Sequence, residues 1–228
     1  MRDTPDAVMI YAAGFGTRMR PLTDHMPKPL IEVAGKPLIE HALELVRDVK
    51  PARVAVNLHY RAAQLAAYLE GSEVTPLIET PDILDMGGGL RAAADVLGTA
   101  PVWTINPDVL WRGPNPLRVA ANAWQPERMD ALLVCVPMAQ TRARAGAGDF
   151  TIAADGQLRQ GPDCVYGGVQ IIKMDRLLKE PVGPFPIQPL WAEMAAAGRL
   201  HGTLYPGTWC DVGTPDGIAV AEEMLQGV

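Results

Sequence analysis

An apolar run of strand length passes directly into glycines near the start of the chain. Residues 8–13 read VMIYAA, and the sequence continues with Gly14, Phe15 and Gly16. An apolar run that ends at glycine is typical of a buried strand that leads into a tight loop. Strands of this kind belong to parallel sheets that are covered on both faces. The run therefore predicts a central strand with a loop at its carboxyl end.

Strand and helix patterns alternate through the first half of the chain. Residues 37–49 begin with proline and carry apolar residues at spacings of three and four, which predicts a helix. By the same criteria, we predict helices at 61–69 and 90–97 and strands at 53–58, 74–79 and 102–105. This alternation predicts a mostly parallel sheet with helices on both faces.

The second half is less regular. We predict helices at 116–124, 189–197 and 215–225, strands at 131–136 and 165–172, and a hairpin around Asp155 and Gly156. Thr214 is the expected N-cap of the last helix. Together the patterns predict an α/β fold: one Rossmann-like, three-layer domain with a mixed, mostly parallel sheet.

Length, charge and cysteine use restrict the possible classes of protein. The 228 residues suit one domain, 1–228, and carry a net charge of -6, which argues against nucleic acid as a partner. The three cysteines form no CxxC pair, as in a protein of a reducing compartment. Since no apolar stretch approaches the ~20 residues that span a bilayer, we expect no membrane contact. We expect a cytoplasmic protein that is a monomer or a small homo-oligomer.

The glycine loop carries positive charge. Residues 12–22 read AAGFGTRMRPL. Glycines let backbone N–H groups approach an anion, so the loop could cradle a triphosphate, although an ordinary strand-to-helix turn is an equally open reading of the glycines alone. The positive charges of Arg18 and Arg20 favour the anion-binding interpretation over the ordinary turn. Met19 stands where a dinucleotide fingerprint has its third glycine, and no GK[ST] of a P-loop follows.

Lys28 stands between Pro27 and Pro29. Each proline fixes φ and removes a backbone donor, so we expect the lysine to be presented from a stiff, extended segment. A single lysine is usually a solvated surface residue. The two prolines and the upstream arginines favour instead a cation that is directed at phosphate.

Two aspartates occupy positions where a metal can be held. Asp108 follows the predicted strand 102–105, at the edge where ligands of open α/β sheets bind. Asp211 precedes the last predicted helix. A turn or cap would also explain each residue. Carboxylates of this kind can hold Mg²⁺, which typically takes one or two protein carboxylates together with substrate phosphates.

The segment 12–41 resembles the N-terminal signature of the sugar-1-phosphate nucleotidyltransferases, with the glycine loop, the arginine and the PKP lysine: AAGFGTRMRPLTDHMPKPLIEVAGKPLIEH. The resemblance continues through LDMGGGLRAAADVLG, TINPDVLW, AGDFTI, VYGGVQII and GTWCDVGTPD. Within that family the chain most resembles the small bacterial N-acetylmuramate 1-phosphate uridylyltransferases of cell-wall recycling. The resemblance implies a nucleotidyltransferase domain. Because the chain stops shortly after the last predicted helix, we expect no C-terminal β-helix or acetyltransferase domain.

The resemblance also implies roles for individual residues. The nucleoside triphosphate would be bound by Ala12, Ala13, Gly14, Gly16, Thr17, Arg18, Lys28, Gly87 and Gly88, where Gly87 and Gly88 belong to a loop that reads the base. Arg18 and Lys28 would be the catalytic cations that neutralise its phosphates. Asp108 and Asp211 would share Mg²⁺. The sugar 1-phosphate would be bound by Asn106, Asp149 and Gly168.

Three positions depart from the family pattern. Pro107 replaces the usual glycine before Asp108, and Asp85 stands where similar proteins carry Glu. The strand at 166–169 is not followed by the Glu-Lys pair with which larger members bind the sugar phosphate. The cation that binds the sugar phosphate is therefore unassigned.

The expected reaction joins a nucleoside monophosphate, from UTP, to N-acetylmuramate 1-phosphate and releases pyrophosphate. A mannose 1-phosphate guanylyltransferase and a phosphocholine cytidylyltransferase are the alternatives within the enzyme class. A catalytically silent module that binds nucleotide sugars is the alternative outside it.

Overall fold

The computed structural model describes residues 4–227. The strands are β1 (Ala7–Tyr11), β2 (Glu32–Val33), β3 (Lys36–Pro37), β4 (Arg53–Leu58), β5 (Val74–Ile78), β6 (Val102–Ile105), β7 (Val109–Arg112), β8 (Ala131–Pro137), β9 (Thr141–Arg142), β10 (Phe150–Ile152), β11 (Leu158–Gln160), β12 (Cys164–Ile172), β13 (Leu200–Leu204) and β14 (Thr208–Asp211). The helices are α1 (Leu38–Val49), α2 (Ala62–Tyr68), α3 (Asp85–Ala92), α4 (Ala94–Leu97), α5 (Pro116–Ala123), α6 (Met174–Leu177), α7 (Gln188–Ala196) and α8 (Asp216–Gln226).

The main sheet has a parallel centre and an antiparallel flank. Strands β5, β4, β1 and β6 are adjacent and parallel, and β12 runs antiparallel between β6 and β8. The hairpin of β10 and β11 continues the sheet beside the start of β12. The predicted mixed sheet with a mostly parallel core is confirmed, and so is the hairpin at Asp155 and Gly156.

Helices cover both faces of the sheet, as predicted. In β1, Val8 and Ile10 point into one apolar cluster, whereas Ala7 and Met9 point into the other. The first cluster is completed by α1, α2 and α5, and the second by α3, α4, α6 and α7. Burial on both faces explains why the first strand is a continuous apolar run rather than an alternating one.

A second, three-stranded sheet joins distant parts of the chain. Strand β14 lies between β7, to which it is antiparallel, and β9, to which it is parallel. Asp211, at the end of β14, is the register partner of Val109 in β7. This sheet therefore brings the residue after Asp108 alongside Asp211.

Two helix predictions differ from the structure in detail. The helix expected over 90–97 begins earlier, at Asp85, and is divided into α3 and α4. The last helix has Pro215 at its N-cap position and no side-chain capping bond, so Thr214 does not cap it. Within the described residues, no helix is both long and apolar enough to cross a membrane.

Candidate active site

A cleft of about 190 Å³ opens at the carboxyl ends of β1 and β6. Its walls come from the glycine loop, from one-turn 3₁₀ helices at Thr17–Met19 and Lys28–Leu30, from residues 107–108 after β6, and from Gly213 after β14. We call it the glycine-loop cleft. Six of the nine predicted nucleotide-binding residues line it: Ala12, Gly14, Gly16, Thr17, Arg18 and Lys28.

Gly16 brings the loop close to the lysine. Its φ is 63°, and a Cβ at this position would lie 2.9 Å from Cγ2 of Thr23 and 3.0 Å from Cβ of Lys28. Both the left-handed backbone and the close approach favour glycine. Ala13 is buried behind the loop and does not line the cleft.

Lys28 is a buried cation that is paired with a predicted metal ligand. Its Nζ donates to Oδ2 of Asp108 at 2.7 Å, and its side chain is 11% exposed. The extended backbone expected here ends at Pro27, because Lys28 begins a 3₁₀ turn. The turn directs the ammonium group into the cleft.

Arg18 and Asp211 complete this group of charges. The backbone N–H of Val212 donates to the carbonyl oxygen of Asp108 at 3.0 Å, which holds the segments of the two aspartates together. A Cβ at Gly213 would lie 2.9 Å from Oδ1 of Asp211 and 3.0 Å from Nη1 of Arg18. The structure thus brings all four predicted charged residues together: Arg18, Lys28 and Asp108 line the cleft, and Asp211 lies beside Gly213 in its wall.

The pKa of Asp211 responds to this environment. Burial raises it above the ordinary value, and the negative charge of Asp108 raises it further. The positive charges of Lys28, Arg18 and Arg144 oppose the rise. Asp211 is therefore a carboxylate whose ionised form is incompletely compensated by protein groups.

These two carboxylates fit Mg²⁺. Oxygen ligands suit this ion, which usually takes only one or two protein carboxylates and completes its shell with water and phosphate oxygens. Among residues 4–227, no group of three or more His, Cys, Asp or Glu side chains is placed to hold a metal. A two-carboxylate site agrees with an ion that is bound jointly by protein and substrate.

A second cavity, of about 960 Å³, lies on the other side of the segment 106–108. Asn106 lines it, and its N–H donates to the carbonyl oxygen of Gly168 at 2.9 Å. Its side-chain Oδ1 is buried and has no hydrogen-bond partner within the described chain. An orphaned acceptor of this kind is costly unless a ligand or water satisfies it. We call this space the acceptor cavity.

Asp149 also lines the acceptor cavity, but its oxygens are engaged by the protein. Oδ2 accepts from the backbone N–H of Tyr166 at 3.0 Å, and Oδ1 accepts from Nη2 of Arg144 at 3.0 Å. Asn106 and Asp149 therefore line one cavity, whereas Gly168 contacts Asn106 without lining the cavity itself. The structure also identifies Arg144, which sequence reasoning missed because the residue lies in an irregular loop.

The two adjoining spaces and their charges agree with the comparisons with known proteins. The sequence family of the MobA-like NTP transferase domain matches residues 8–204 of the chain. The chain belongs to this family. An N-acetylmuramate alpha-1-phosphate uridylyltransferase from Caulobacter vibrioides is 38% identical over 242 aligned positions, which cover 99% of each chain. An enzyme of the same name from Neisseria meningitidis is 30% identical and covers 90% of this chain and 92% of its own.

The solved structures support the fold. A UDP-glucose pyrophosphorylase in complex with UDP-glucose superposes with a TM-score of 0.78 at 17% identity, over 97% of this chain and 98% of that one. The family confirms the predicted enzyme class, so the chain is a nucleotidyltransferase, and the resemblance found in the sequence is confirmed.

In this transferase, the glycine run at 87–89 is not a loop. It lies inside α3 and is buried, so the predicted open loop around Gly87 and Gly88 was wrong. A Cβ at Gly87 would lie 2.4 Å from the ring of Phe185, and one at Gly88 would lie 2.2 Å from the carbonyl oxygen of Gly183. The missing side chains therefore make room for another part of the protein. Base recognition by Gly87 and Gly88 stays a prediction.

A buried polar relay connects the glycine loop of the transferase to α3. The N–H of Ala12 donates to Oδ1 of Asn57 at 2.8 Å, and Nδ2 of Asn57 donates to Oε1 of Glu79 at 2.7 Å. Oε2 of Glu79 then accepts from the N–H of Leu84 at 2.7 Å. Sequence reasoning missed both side chains. The available signal was a polar residue at the carboxyl end of each strand-like run.

We expect Glu79→Ala to lower the free energy of unfolding by about 1–3 kcal/mol, because it leaves the buried donors of Asn57 and Leu84 unsatisfied. Glu79→Gln should cost less, since its amide oxygen retains one acceptor. Urea unfolding measures the effect. Glu73→Ala, at an exposed glutamate beside the same strand, is the matched control. Equal unfolding midpoints for Glu79→Ala and Glu73→Ala would contradict a stabilising role.

Proposed function

We propose that this nucleotidyltransferase condenses UTP with N-acetylmuramate 1-phosphate to give UDP-N-acetylmuramate and pyrophosphate. The observation that carries the proposal is the position of the segment 106–108. Asp108 faces the glycine-loop cleft with its cations, while Asn106 faces the acceptor cavity. Two substrates bound in these spaces would meet beside Asp108. The names of the relatives from Caulobacter and Neisseria support the choice of sugar and base.

The reaction is an in-line displacement at phosphorus. A phosphate oxygen of the sugar 1-phosphate attacks the α-phosphorus of UTP, a new P–O bond forms, and the bond to the β-phosphate breaks with release of pyrophosphate. The attacking phosphate is already an anion at neutral pH, so no general base is required. The chief obstacle is repulsion between two anions.

The cations of the cleft reduce this obstacle. Lys28 and Arg18 lie where the phosphates of UTP would enter between the glycine loop and Asp108. They would neutralise the triphosphate and stabilise the charge that grows in the transition state. Fixed cations need little reorganisation during the reaction, which makes their stabilisation effective.

Asp108 and Asp211 would hold Mg²⁺. When bound, the ion supplies Lewis-acid stabilisation of phosphate oxygens. The protein contributes two carboxylates that the β7 and β14 pairing keeps together. Lys28, which pairs with Asp108 in the structure, would then be able to turn its ammonium group toward phosphate.

A pyrophosphate-release screen tests the proposal. It combines each of the four nucleoside triphosphates with N-acetylmuramate 1-phosphate, mannose 1-phosphate, glucose 1-phosphate and phosphocholine. Turnover with UTP and N-acetylmuramate 1-phosphate well above all other pairs is expected. Preference for GTP and mannose 1-phosphate would instead support the guanylyltransferase alternative. Absence of turnover with every pair would support the silent module, against which the four clustered charged residues argue.

We expect kcat/KM for UTP to exceed that for GTP by at least ~100-fold at saturating sugar 1-phosphate. A pocket that hydrogen-bonds one base edge rejects a different edge strongly, because its buried polar groups are left unpaired. Steady-state kinetics with both triphosphates measures the ratio. CTP serves as a second comparison. Cytosine is a pyrimidine like uracil, so CTP tests recognition of the base edge without a change in ring size. Equal values for UTP and GTP would contradict base recognition.

A further inference from the structure

The acceptor cavity needs a cation for the phosphate of the sugar 1-phosphate. That phosphate carries up to two negative charges and must approach a triphosphate that is also anionic. Strand β12 continues past Gly168 as Val169, Gln170 and Ile171 without a charge, and Lys173, directly after the strand, donates to the carbonyl oxygen of Pro126 and to Asp130. The compensating charge must therefore come from another part of the fold.

Arg144 lines the acceptor cavity from a loop that begins beside Asp211. It belongs to the loop between β9 and β10. Arg142, at the end of β9, is the register partner of Cys210 in β14, so the loop starts next to Asp211. Arg18 and Lys28 line the glycine-loop cleft instead. Arg144 is thus a cation that faces the acceptor cavity from a segment adjoining Asp211.

Asp149 holds this guanidinium in place. Oδ1 accepts from Nη2 of Arg144 at 3.0 Å, and Oδ2 is fixed by the N–H of Tyr166 in β12. The pair is partly exposed, with 31% of the Arg144 side chain and 37% of the Asp149 side chain accessible. One guanidinium nitrogen is used by Asp149, so the remaining donors are available to a ligand. A planar guanidinium binds phosphate oxygens in bidentate geometry.

We propose that Arg144 binds the phosphate of the sugar 1-phosphate and that Asp149 is a positioning residue which orients Arg144. The proposal rests on the proposed function for the class of acceptor. It assigns the sugar-phosphate cation to the β9–β10 loop. It also changes the role expected for Asp149 from direct sugar binding to orientation of the cation.

Initial-rate kinetics with both substrates tests Arg144. Arg144→Gln should raise KM for N-acetylmuramate 1-phosphate at least ~10-fold, as expected for loss of a charge-assisted hydrogen bond, and leave KM for UTP within about twofold. Arg144→Lys should recover part of the loss, because it restores the charge without the planar fork. Arg128→Gln, at an exposed arginine that contacts Gln125 and Asp155, is the control. An unchanged KM for the sugar phosphate, or an equal rise in KM for UTP, would overturn the proposal.

Arg159 provides a rival outcome, since it is the other arginine that lines the acceptor cavity. If Arg159→Gln raises KM for the sugar phosphate and Arg144→Gln does not, the assignment to Arg144 is wrong. Equilibrium binding adds a readout that does not depend on turnover. The native protein should bind N-acetylmuramate 1-phosphate more tightly than N-acetylmuramate, and Arg144→Gln should lose at least ~10-fold of that preference.

A double-mutant cycle tests Asp149. If Asp149 acts through Arg144, Asp149→Asn should raise KM for the sugar phosphate in the native background and have little further effect in the Arg144→Gln background. Independent, additive effects would show that Asp149 contacts the sugar itself and would overturn the positioning role. Thermal unfolding of each variant shows whether the fold is retained.

The proposed sugar can be wrong while the proposed role of Arg144 is right. If the native enzyme turns over glucose 1-phosphate rather than N-acetylmuramate 1-phosphate, the proposed substrate is wrong. The same variants are then measured with glucose 1-phosphate, because the phosphate group is common to both. Retention of full affinity by Arg144→Gln for whichever sugar phosphate is accepted overturns the inference in either case.

Discussion

Asp211→Asn and Asp108→Asn are each expected to lower kcat by more than about 100-fold, because loss of a metal's outer-shell partner alone costs roughly 10- to 100-fold and these side chains are the proposed direct ligands. The amide keeps the shape of the carboxylate but loses the charge that attracts Mg²⁺. When turnover is measured over a range of Mg²⁺ concentrations, each variant should need more Mg²⁺ to reach half-maximal turnover and should also reach a lower maximum.

The two variants should differ in stability when metal is absent. Asp211→Asn removes a carboxylate whose pKa is raised by burial and by the charge of Asp108, so the metal-free protein should become more stable at neutral pH. Asp108→Asn instead removes the ion-pair partner of the buried Lys28 and should destabilise it. Opposite shifts in Tm with EDTA present, together with the common loss of turnover, would be difficult to explain by simple misfolding.

The pH dependence of stability has a definite sign. In the folded protein the pKa of Asp211 is raised, so the folded state holds this proton more tightly than the unfolded state does. The unfavourable contribution of Asp211 is therefore absent below its ordinary pKa and is fully present above its raised pKa. In EDTA, the stability of the native protein should fall as the pH rises from the ordinary pKa of an aspartate to the raised pKa of Asp211. Asp211→Asn should not show this fall.

Asp155→Asn is the matched control for both aspartate variants. Asp155 lies in the β10–β11 turn, away from both cavities, and its Oδ1 accepts from the N–H of Gln157, a role that an asparagine oxygen can retain. Its kcat and Tm should remain close to those of the native enzyme. Activity near the native level in either Asp108→Asn or Asp211→Asn would sink the shared-metal site.

Lys28→Ala is expected to lower kcat by roughly 10²- to 10³-fold, or ~3–4 kcal/mol, the scale found when one preorganised group that stabilises transition-state charge is removed. The side chain is almost fully buried between the glycine loop and Asp108, so bulk solvent screens its charge poorly. Lys28→Arg should rescue poorly, because the planar fork does not fit a space shaped by the close approach of Gly16.

Lys36→Ala is the control for Lys28. Lys36 is also followed by proline, but its ammonium pairs with Glu44 at a more exposed position. Exposed pairs contribute little, so neither kcat nor KM for the triphosphate should change measurably. If Lys28→Ala retained the native kcat and KM for UTP, Lys28 would be a structural ion-pair partner of Asp108 rather than a catalytic cation.

Much of the framework was determined by local sequence. The apolar run before Gly14 predicts a strand buried on both faces, because only continuous burial favours apolar residues at successive positions. The alternation of helix and strand patterns then requires a parallel sheet, whose carboxyl ends collect at one edge. That topology predicts that the glycine loop after β1 and Asp108 after β6 lie at the same edge of the sheet. The pairing of β1 with β6, which the structure decides, makes them neighbours.

Tertiary structure alone decided how the site is assembled. The contact between Lys28 and Asp108 joins residues 80 positions apart, and the relay of Asn57 and Glu79 joins two strands. Asp149, which accepts a hydrogen bond from Arg144, is fixed in turn by the backbone N–H of Tyr166 in β12. Gly87 is the clearest case, since a glycine run predicts a loop, whereas Gly87 lies in α3 and its lack of a side chain makes room for Phe185. Local patterns report backbone preference and average burial, whereas such contacts depend on how separate elements pack together.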